Sequence, residues 1–207
     1  MTGVLEFLRQ HGQAEAEGVQ RPSTLFSGHL EGAGPNPTVA WEARALEVDA
    51  GKMSAARGIR LLQALWAKDK HMSKLDPDSV QRMEPFLDYA TVLANRDLIR
   101  QDERGDFMLV LLSGGIAVDR LQPWGERLRL AEAVPGDILG EMSLFDGGER
   151  FSACTTLTDC EVAALSAAAM DRMLSAEPTL TAGIVTMLTR RLSLRLRVVS
   201  ARLSAAK

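Results

Sequence analysis

The stretch that decides the fold reads Pro135-Gly136-Asp137-Ile138-Leu139-Gly140-Glu141-Met142-Ser143-Leu144-Phe145-Asp146-Gly147-Gly148-Glu149-Arg150. A strand ends at the Gly136-Asp137 turn, and the Gly140-Glu141 pair opens one short helical turn over residues 140–144. Free backbone N–H groups at such a turn favour an anion. Glu141 cannot partner an anion and instead suits hydroxyl groups, from which it accepts hydrogen bonds. Arg150, nine residues on, brings a fixed charge and a forked donor that suits phosphate. Carboxylate for hydroxyl, arginine and amides for phosphate together describe a pocket for a sugar phosphate. Taken singly, each residue has a plainer reading: Arg150 as a surface partner of Glu149 or Asp146, Glu141 as a cap of its own helix.

Outward from this stretch, short apolar runs recur at 98–99, 107–112, 116–118, 128–130, 154–157 and 162–165. Between them stand Arg104-Gly105-Asp106, Gly114-Gly115, Pro135-Gly136-Asp137 and Asp146-Gly147-Gly148. Short strands at regular spacing predict an antiparallel sandwich or barrel beginning near Val92. Ahead of it, residues 1–10 predict a short amphipathic helix. Residues 11–38 carry Gly12, Gly18, Gly28, Gly32, Gly34, Pro22, Pro35 and Pro37 and predict a loop or a mobile linker. Residues 39–71 predict helix, broken at Gly51 and Gly58. Asp76 before Pro77 predicts an N-cap with proline in the first turn, opening a helix through Met83, Phe86 and Leu87. After the strands, residues 166–174 predict a short helix and residues 179–203 a long one. The expected division is a helical extension over 1–74 and a second domain over 75–207.

The chain has 207 residues, 46% hydrophobic and 25% charged, enough for a core without disulfide or metal staples. Lys and Arg total 24 against 27 Asp and Glu, a net charge of −3, which excludes whole-chain polyanion binding but not a local basic patch. Cys154 and Cys160 have neither disulfide-framework nor zinc spacing and read as small apolar fillers of strands. A reducing, cytoplasmic compartment is expected. Residues 1–10 include Glu6 and Arg9, unlike a secretory signal, and the longest apolar run, 107–112, is too short for a membrane span. No catalytic motif is present: His11, His29 and His71 stand apart outside the expected barrel, and Gly32-Ala33-Gly34 follows no strand. An enzyme is not expected.

The central stretch resembles the phosphate-binding cassette of cyclic nucleotide-binding domains, a family that includes the catabolite activator protein and regulatory subunits of cAMP-dependent protein kinase. The resemblance extends to Gly105-Asp106-Phe107-Met108-Leu109-Val110-Leu111-Leu112-Ser113-Gly114, to Leu157-Thr158-Asp159-Cys160-Glu161-Val162, and to the helix containing Arg190-Arg191-Leu192. It covers roughly residues 80–196. It implies an α+β fold: an antiparallel β-sandwich or jelly-roll barrel of about eight strands, flanked by N-terminal helices and a long C-terminal helix. It implies that Glu141 holds a ribose 2′-hydroxyl, that the amides of Gly140, Met142 and Ser143 face the ribose and cyclic phosphate, and that Arg150 pairs with the phosphate. One position departs. Where the family usually has Ala, Ser or Thr after the arginine, this chain has Phe151 and then Ser152. The ring either crowds the phosphate or turns away and leaves its amide, or a one-residue shift brings in the Ser152 hydroxyl. Phe151 points away from cGMP, whose binders often carry a hydroxyl there. Asn95 and Asp102 replace turn glycines and tolerate the same left-handed backbone.

On the last helix Val185, Leu188, Leu192, Leu196, Val199 and Leu203 form an apolar seam, widened by Leu180, Ile184, Met187, Leu194 and Val198. A helix over 179–203 is about 37 Å long, more than one small barrel covers, so its distal half is expected to pair in a homodimer. Arg190, Arg191, Arg195, Arg197, Arg202 and Lys207 read as a solvated face; by position in the family, Arg195 falls where this helix caps the purine. Family regulators often add a helix-turn-helix after this helix. The chain ends at Lys207, and Lys52, Arg57 and Arg60 make no basic recognition helix, so DNA is not an expected partner. The expected function is a cyclic nucleotide sensor, for cAMP before cGMP, whose C-terminal helix closes on the ligand and signals to an effector protein. The alternatives are a protein-interaction module that no longer binds a mononucleotide, or a cyclic-di-GMP receptor using Arg150 with Arg195.

Overall fold

A strand with one wet face alternates polar and apolar residues, whereas one covered on both faces reads as a continuous apolar run. Residues 107–112 are such a run. The computed structural model describes residues 24–29, 37–70 and 72–205, and in it every residue from Phe107 to Leu112 is buried. The strands are β1 (Thr38–Val39), β2 (Gly51–Lys52), β3 (Asp88–Val92), β4 (Asp97–Ile99), β5 (Arg104–Gly105), β6 (Phe107–Ser113), β7 (Ile116–Leu121), β8 (Arg127–Ala133), β9 (Ile138–Leu139), β10 (Ala153–Thr156) and β11 (Cys160–Ser166). The helices are α1 (Trp41–Glu47), α2 (Ala55–Trp66), α3 (Pro77–Gln81), α4 (Glu141–Asp146), α5 (Ala167–Ala176) and α6 (Pro178–Ala205).

Two antiparallel sheets face each other, one of five strands ordered β2-β3-β11-β6-β9 and one of four ordered β4-β10-β7-β8. Side chains of β6 alternate between two cores. Phe107, Leu109 and Leu111 enter the space between the sheets with Leu98, Ile99, Ile116, Leu139 and Val162. Met108, Val110 and Leu112 face the helices, meeting Ile59, Leu62, Trp66, Met170, Ile184 and Leu188. This is the expected α+β architecture of an antiparallel sandwich with flanking helices. β8 is the edge strand of its sheet, and residues 127–132 are exposed.

Both sides of the expected boundary at 74–75 share these cores. Trp41 lies edge-on to Phe107, ring centroids 5.5 Å apart, and Val48 packs beside Val92 and Leu98 in the same cluster. β2 adds to the sheet through Gly51 opposite Thr91, and β1 pairs in parallel with β5. The helix expected over 39–71 with breaks at Gly51 and Gly58 is two helices: the break at Gly51 is found, as strand β2, and β1 precedes the first helix. Gly58 does not break α2. It lies inside the helix, where a Cβ would sit 2.0 Å from the Tyr89 ring, so glycine there permits close approach of helix to sheet.

Asp76 caps α3 as expected, accepting from the Ser79 amide, but α3 stops at Gln81 and a 3₁₀ turn over Glu84–Phe86 leads into β3. The sandwich expected to begin near Val92 thus takes in β3 from Asp88 and, through β2, residues as early as Gly51. Asn95 and Asp102 adopt φ of 60° and 64°, the left-handed backbone expected of them. The helix expected over 1–10 lies outside the described residues, as does most of the stretch 11–38. Residues 24–29 of that stretch are described and docked: the buried Asp171 carboxylate accepts from the Phe26 and Ser27 amides, each at 2.8 Å, and from the Ser27 hydroxyl. The Phe26 ring stands edge-on to Phe145 of α4 at 6.1 Å.

Candidate functional site

β9 pairs with β6 through Leu139 and Leu109, which anchors the start of the cassette to the most buried strand. Gly140, at φ 77°, then turns the chain into α4, and Gly147, at φ 66°, ends it by donating to the Ser143 carbonyl at 3.0 Å. The buried Arg104 braces that end, its guanidinium donating to the Gly147 carbonyl at 3.0 Å.

Arg150 is 2% exposed. One terminal nitrogen donates to the Gly140 carbonyl and the other to the Phe107 carbonyl, both at 2.7 Å, and the guanidinium carbon stands 4.7 Å from the centre of the Phe107 ring. Its slot is made by two glycines. A Cβ on Gly105 or on Gly140 would sit 2.5 Å from a guanidinium nitrogen. Among the described residues no carboxylate lies within ion-pair distance of Arg150, and its buried Nε has no partner. Burial pulls the guanidinium down to about 10, so it stays charged at neutral pH. A buried cation held by two carbonyl dipoles and a ring face, with no carboxylate in contact, leaves a local excess of positive charge.

Glu141 is 6% exposed and accepts from Arg195 of α6 at 2.8 Å. Ser143 is buried beside it on α4, while the Met142 side chain is half exposed. The Phe151 ring points outward, with the Arg120 guanidinium 4.2 Å above it and the Phe151 carbonyl accepting from the same arginine. Of the three arrangements open in the sequence, this is the ring turned away. Ser152 is partly exposed, and burial of the nearby Cys154 pushes its thiol up to about 12.

The structure therefore groups Gly140, Glu141, Met142, Ser143, Arg150 and Arg195 around one corner, with Phe151 and Ser152 beside it. Several residues of this corner were not read from the sequence as site residues, and Arg191, read there as part of a solvated face, is only 15% exposed. Arg191 bridges Asp137 at 3.2 Å and Asp69 at 3.6 Å and reaches the Gly136 carbonyl. Gly105 and Phe107 wall the Arg150 slot. The signal for Arg191 was its four-residue spacing from Arg195, matched by the same spacing from Asp137 to Glu141. A cavity of about 620 Å³ opens elsewhere, between α1, β2 and β3, and none of its lining residues belongs to the cassette.

Residues 90–177 match the family model of the cyclic nucleotide-binding domain. A CRP-like cAMP-activated global transcriptional regulator of Mycobacterium tuberculosis is 25% identical over 118 residues, 57% of this chain and 53% of that protein. The chain thus matches about half the length of that relative. A crystal structure of a cyclic nucleotide-binding domain from Methylobacillus flagellatus superposes with a TM-score of 0.67 at 22% identity, covering 76% of this chain and 88% of the other. The c-di-GMP-responsive regulator CLP of Xanthomonas campestris superposes with a TM-score of 0.55 at 21% identity, over 62% of this chain and 63% of its own. Among the described residues no helix is long and apolar enough to cross a membrane. Family model, relatives and fold agree over one stretch: residues 90–177 of this chain, rather less than half of it, are similar to the cyclic nucleotide-binding domain.

Proposed function

We propose that the chain is a cyclic mononucleotide sensor, with cAMP its first ligand. The observation that carries this reading is Arg150, a buried cation with no carboxylate partner among the described residues, in a slot formed by two glycines. An anion is the group that would complete it. Arg150 takes the cyclic phosphate, Glu141 the ribose 2′-hydroxyl, and the amides of Gly140, Met142 and Ser143 line the approach. Phe151 offers its amide, since its ring is occupied with Arg120 outside the site. The relative from Mycobacterium tuberculosis, described as cAMP-activated, supports cAMP over other cyclic nucleotides. The role is regulatory rather than catalytic, and the output passes through α6 to an effector protein. Leu194, Leu196, Val198 and Val199 are exposed on distal α6, which supports a homodimer along that helix.

A second reading is favoured by one observation. Glu141 is already paired with Arg195, and both Arg150 terminal nitrogens already bond backbone carbonyls. That satisfaction suits a protein-interaction module with no nucleotide. Calorimetric titration with cAMP, cGMP and cyclic-di-GMP separates the readings. Micromolar or tighter cAMP binding is expected, weakened by about two to three decades in Arg150→Ala as the phosphate loses its charged partner. Absence of heat with all three ligands would favour the interaction module, and tighter binding of cyclic-di-GMP than of cAMP would reassign the ligand.

A further inference from the structure

Arg44 of α1 has no exposed surface. Its guanidinium meets two carboxylates, Glu47 of the same helix at 2.8 Å and Glu103 in the turn between β4 and β5. Those partners lie nearer the surface, their side chains 43% and 20% exposed. A deeply buried charge of this kind adds little net stability over apolar side chains of the same volume. What it does fix is the orientation of the turn that carries Glu103.

That turn leads directly to the cassette arginine. The Glu103 carboxylate accepts from Arg44 and, at 3.1 Å, from the Arg100 amide. The Glu103 carbonyl accepts from the Arg150 amide at 2.8 Å, and the Asp102 amide donates to the Arg150 carbonyl at 2.9 Å. The main chain of residue 150 is thus clasped by the turn that Arg44 holds. The same N-terminal stretch reaches the Arg150 slot a second time. Val39 of β1 stands opposite Gly105, one of the two glycines that wall the guanidinium. Both β1 and α1 precede residues 90–177, the stretch similar to the family model.

We infer that Arg44 is a positioning residue for the phosphate site: through Glu103 it fixes the main chain of residue 150, and with it the aim of the Arg150 guanidinium. The inference rests on the sensor reading for its ligand, but the placement of Arg150 is measurable without one. Arg44 touches no ligand, and its effect passes through one carboxylate and one main-chain hydrogen bond. Helix α2 supplies a contrast. Arg57 also pairs with a glutamate of the sandwich, Glu161 of β11 at 2.9 Å, but that arginine is 58% exposed and the other partner of Glu161 is Ser113, away from the cassette.

Calorimetric titration with cAMP is run on the wild type, Arg44→Met, Arg44→Lys, Glu103→Gln, Arg150→Lys, the Arg44→Met variant of Arg150→Lys, and Arg57→Gln as control. Arg44→Met and Glu103→Gln are each expected to bind cAMP about tenfold more weakly, the equivalent of one misaligned charge-assisted hydrogen bond. Arg44→Lys keeps the charge and is expected to recover part of that loss, with Arg57→Gln equal to the wild type. Within Arg150→Lys, adding Arg44→Met is expected to cost nothing further, because its effect runs through Arg150. In protein carrying nitrogen-labelled arginine, the Nε–H resonance of Arg150, identified by its loss in Arg150→Lys, is expected to move in Arg44→Met and to stay in Arg57→Gln. Glu103→Gln cuts the same link from its other end and carries the test if Arg44→Met does not fold. Wild-type affinity in Glu103→Gln and in every folded Arg44 variant, or a loss that adds fully to that of Arg150→Lys, overturns the inference and leaves the sensor reading standing. If the wild type binds no cAMP, the sensor reading falls. The Arg150 resonance then decides alone: movement in Arg44→Met upholds the positioning role, and an unmoved signal overturns it.

Discussion

The Arg150 guanidinium fits because two neighbours lack a side chain. Gly105 belongs to β5 and is paired with Val39, so its backbone has little room to retreat. A methyl group there would lie 2.5 Å from one guanidinium nitrogen and 2.7 Å from another. Gly105→Ala is therefore expected to push Arg150 out of register with the Gly140 and Phe107 carbonyls. Overpacking of this kind costs about 1–3 kcal/mol. Urea unfolding would read that loss, and titration with cAMP would show binding weakened alongside it. Stability and binding both equal to wild type would show that the slot has spare room. At the same scale Phe151 illustrates how a bulky residue is tolerated beside a tight site: its ring leaves the corner and finds Arg120, a contact worth about 0.5–1 kcal/mol at an exposed position.

At the scale of elements, α4 is the piece on which the others converge. β9 sets its start, Arg104 braces its end, α6 holds its carboxylate, and Phe26 packs against its Phe145. The last contact comes from residues 24–29, which the Asp171 carboxylate on α5 holds by two amides and a hydroxyl. Removing that acceptor leaves buried donors unpaired. Asp171→Ala is expected to lower stability by about 2 kcal/mol and to speed amide exchange at Phe26 and Ser27. If their exchange is unchanged, apolar packing of Phe26 alone holds this segment. The glycine- and proline-rich stretch 11–38 reads as a loop or a mobile linker. A docked acceptor on a distant helix cannot be read from the stretch itself, because Phe26 and Asp171 are 145 residues apart.

At the scale of the whole molecule, the five-stranded sheet separates two cores and is covered on both faces. α6 has 28 residues, a length of about 42 Å, and only its first turns lie on the helical core. The exposed apolar residues beyond Leu192 are expected to pair with a second copy. Sedimentation of the wild type should give a dimer, and Leu196→Glu with Val199→Glu should give a monomer of unchanged fold. A wild type that sediments as a monomer would assign that stripe to another partner.

What the sequence determined by itself was local. The cassette, the turns at Gly114-Gly115 and Gly136-Asp137, the cap at Asp76 and the long last helix depend on residues close together in the chain. Apolar period and turn chemistry therefore expose them, and the continuous run 107–112 marked the strand that is buried on both faces. Tertiary structure decided the partners. Arg150 meets Phe107 across 43 residues and Glu141 meets Arg195 across 54, while Gly58 is set by the ring of Tyr89 rather than by its own helix. A periodic pattern shows which face of an element is apolar. It does not show which element will lie against that face, and in this chain that choice fixes which charges answer one another at the cassette.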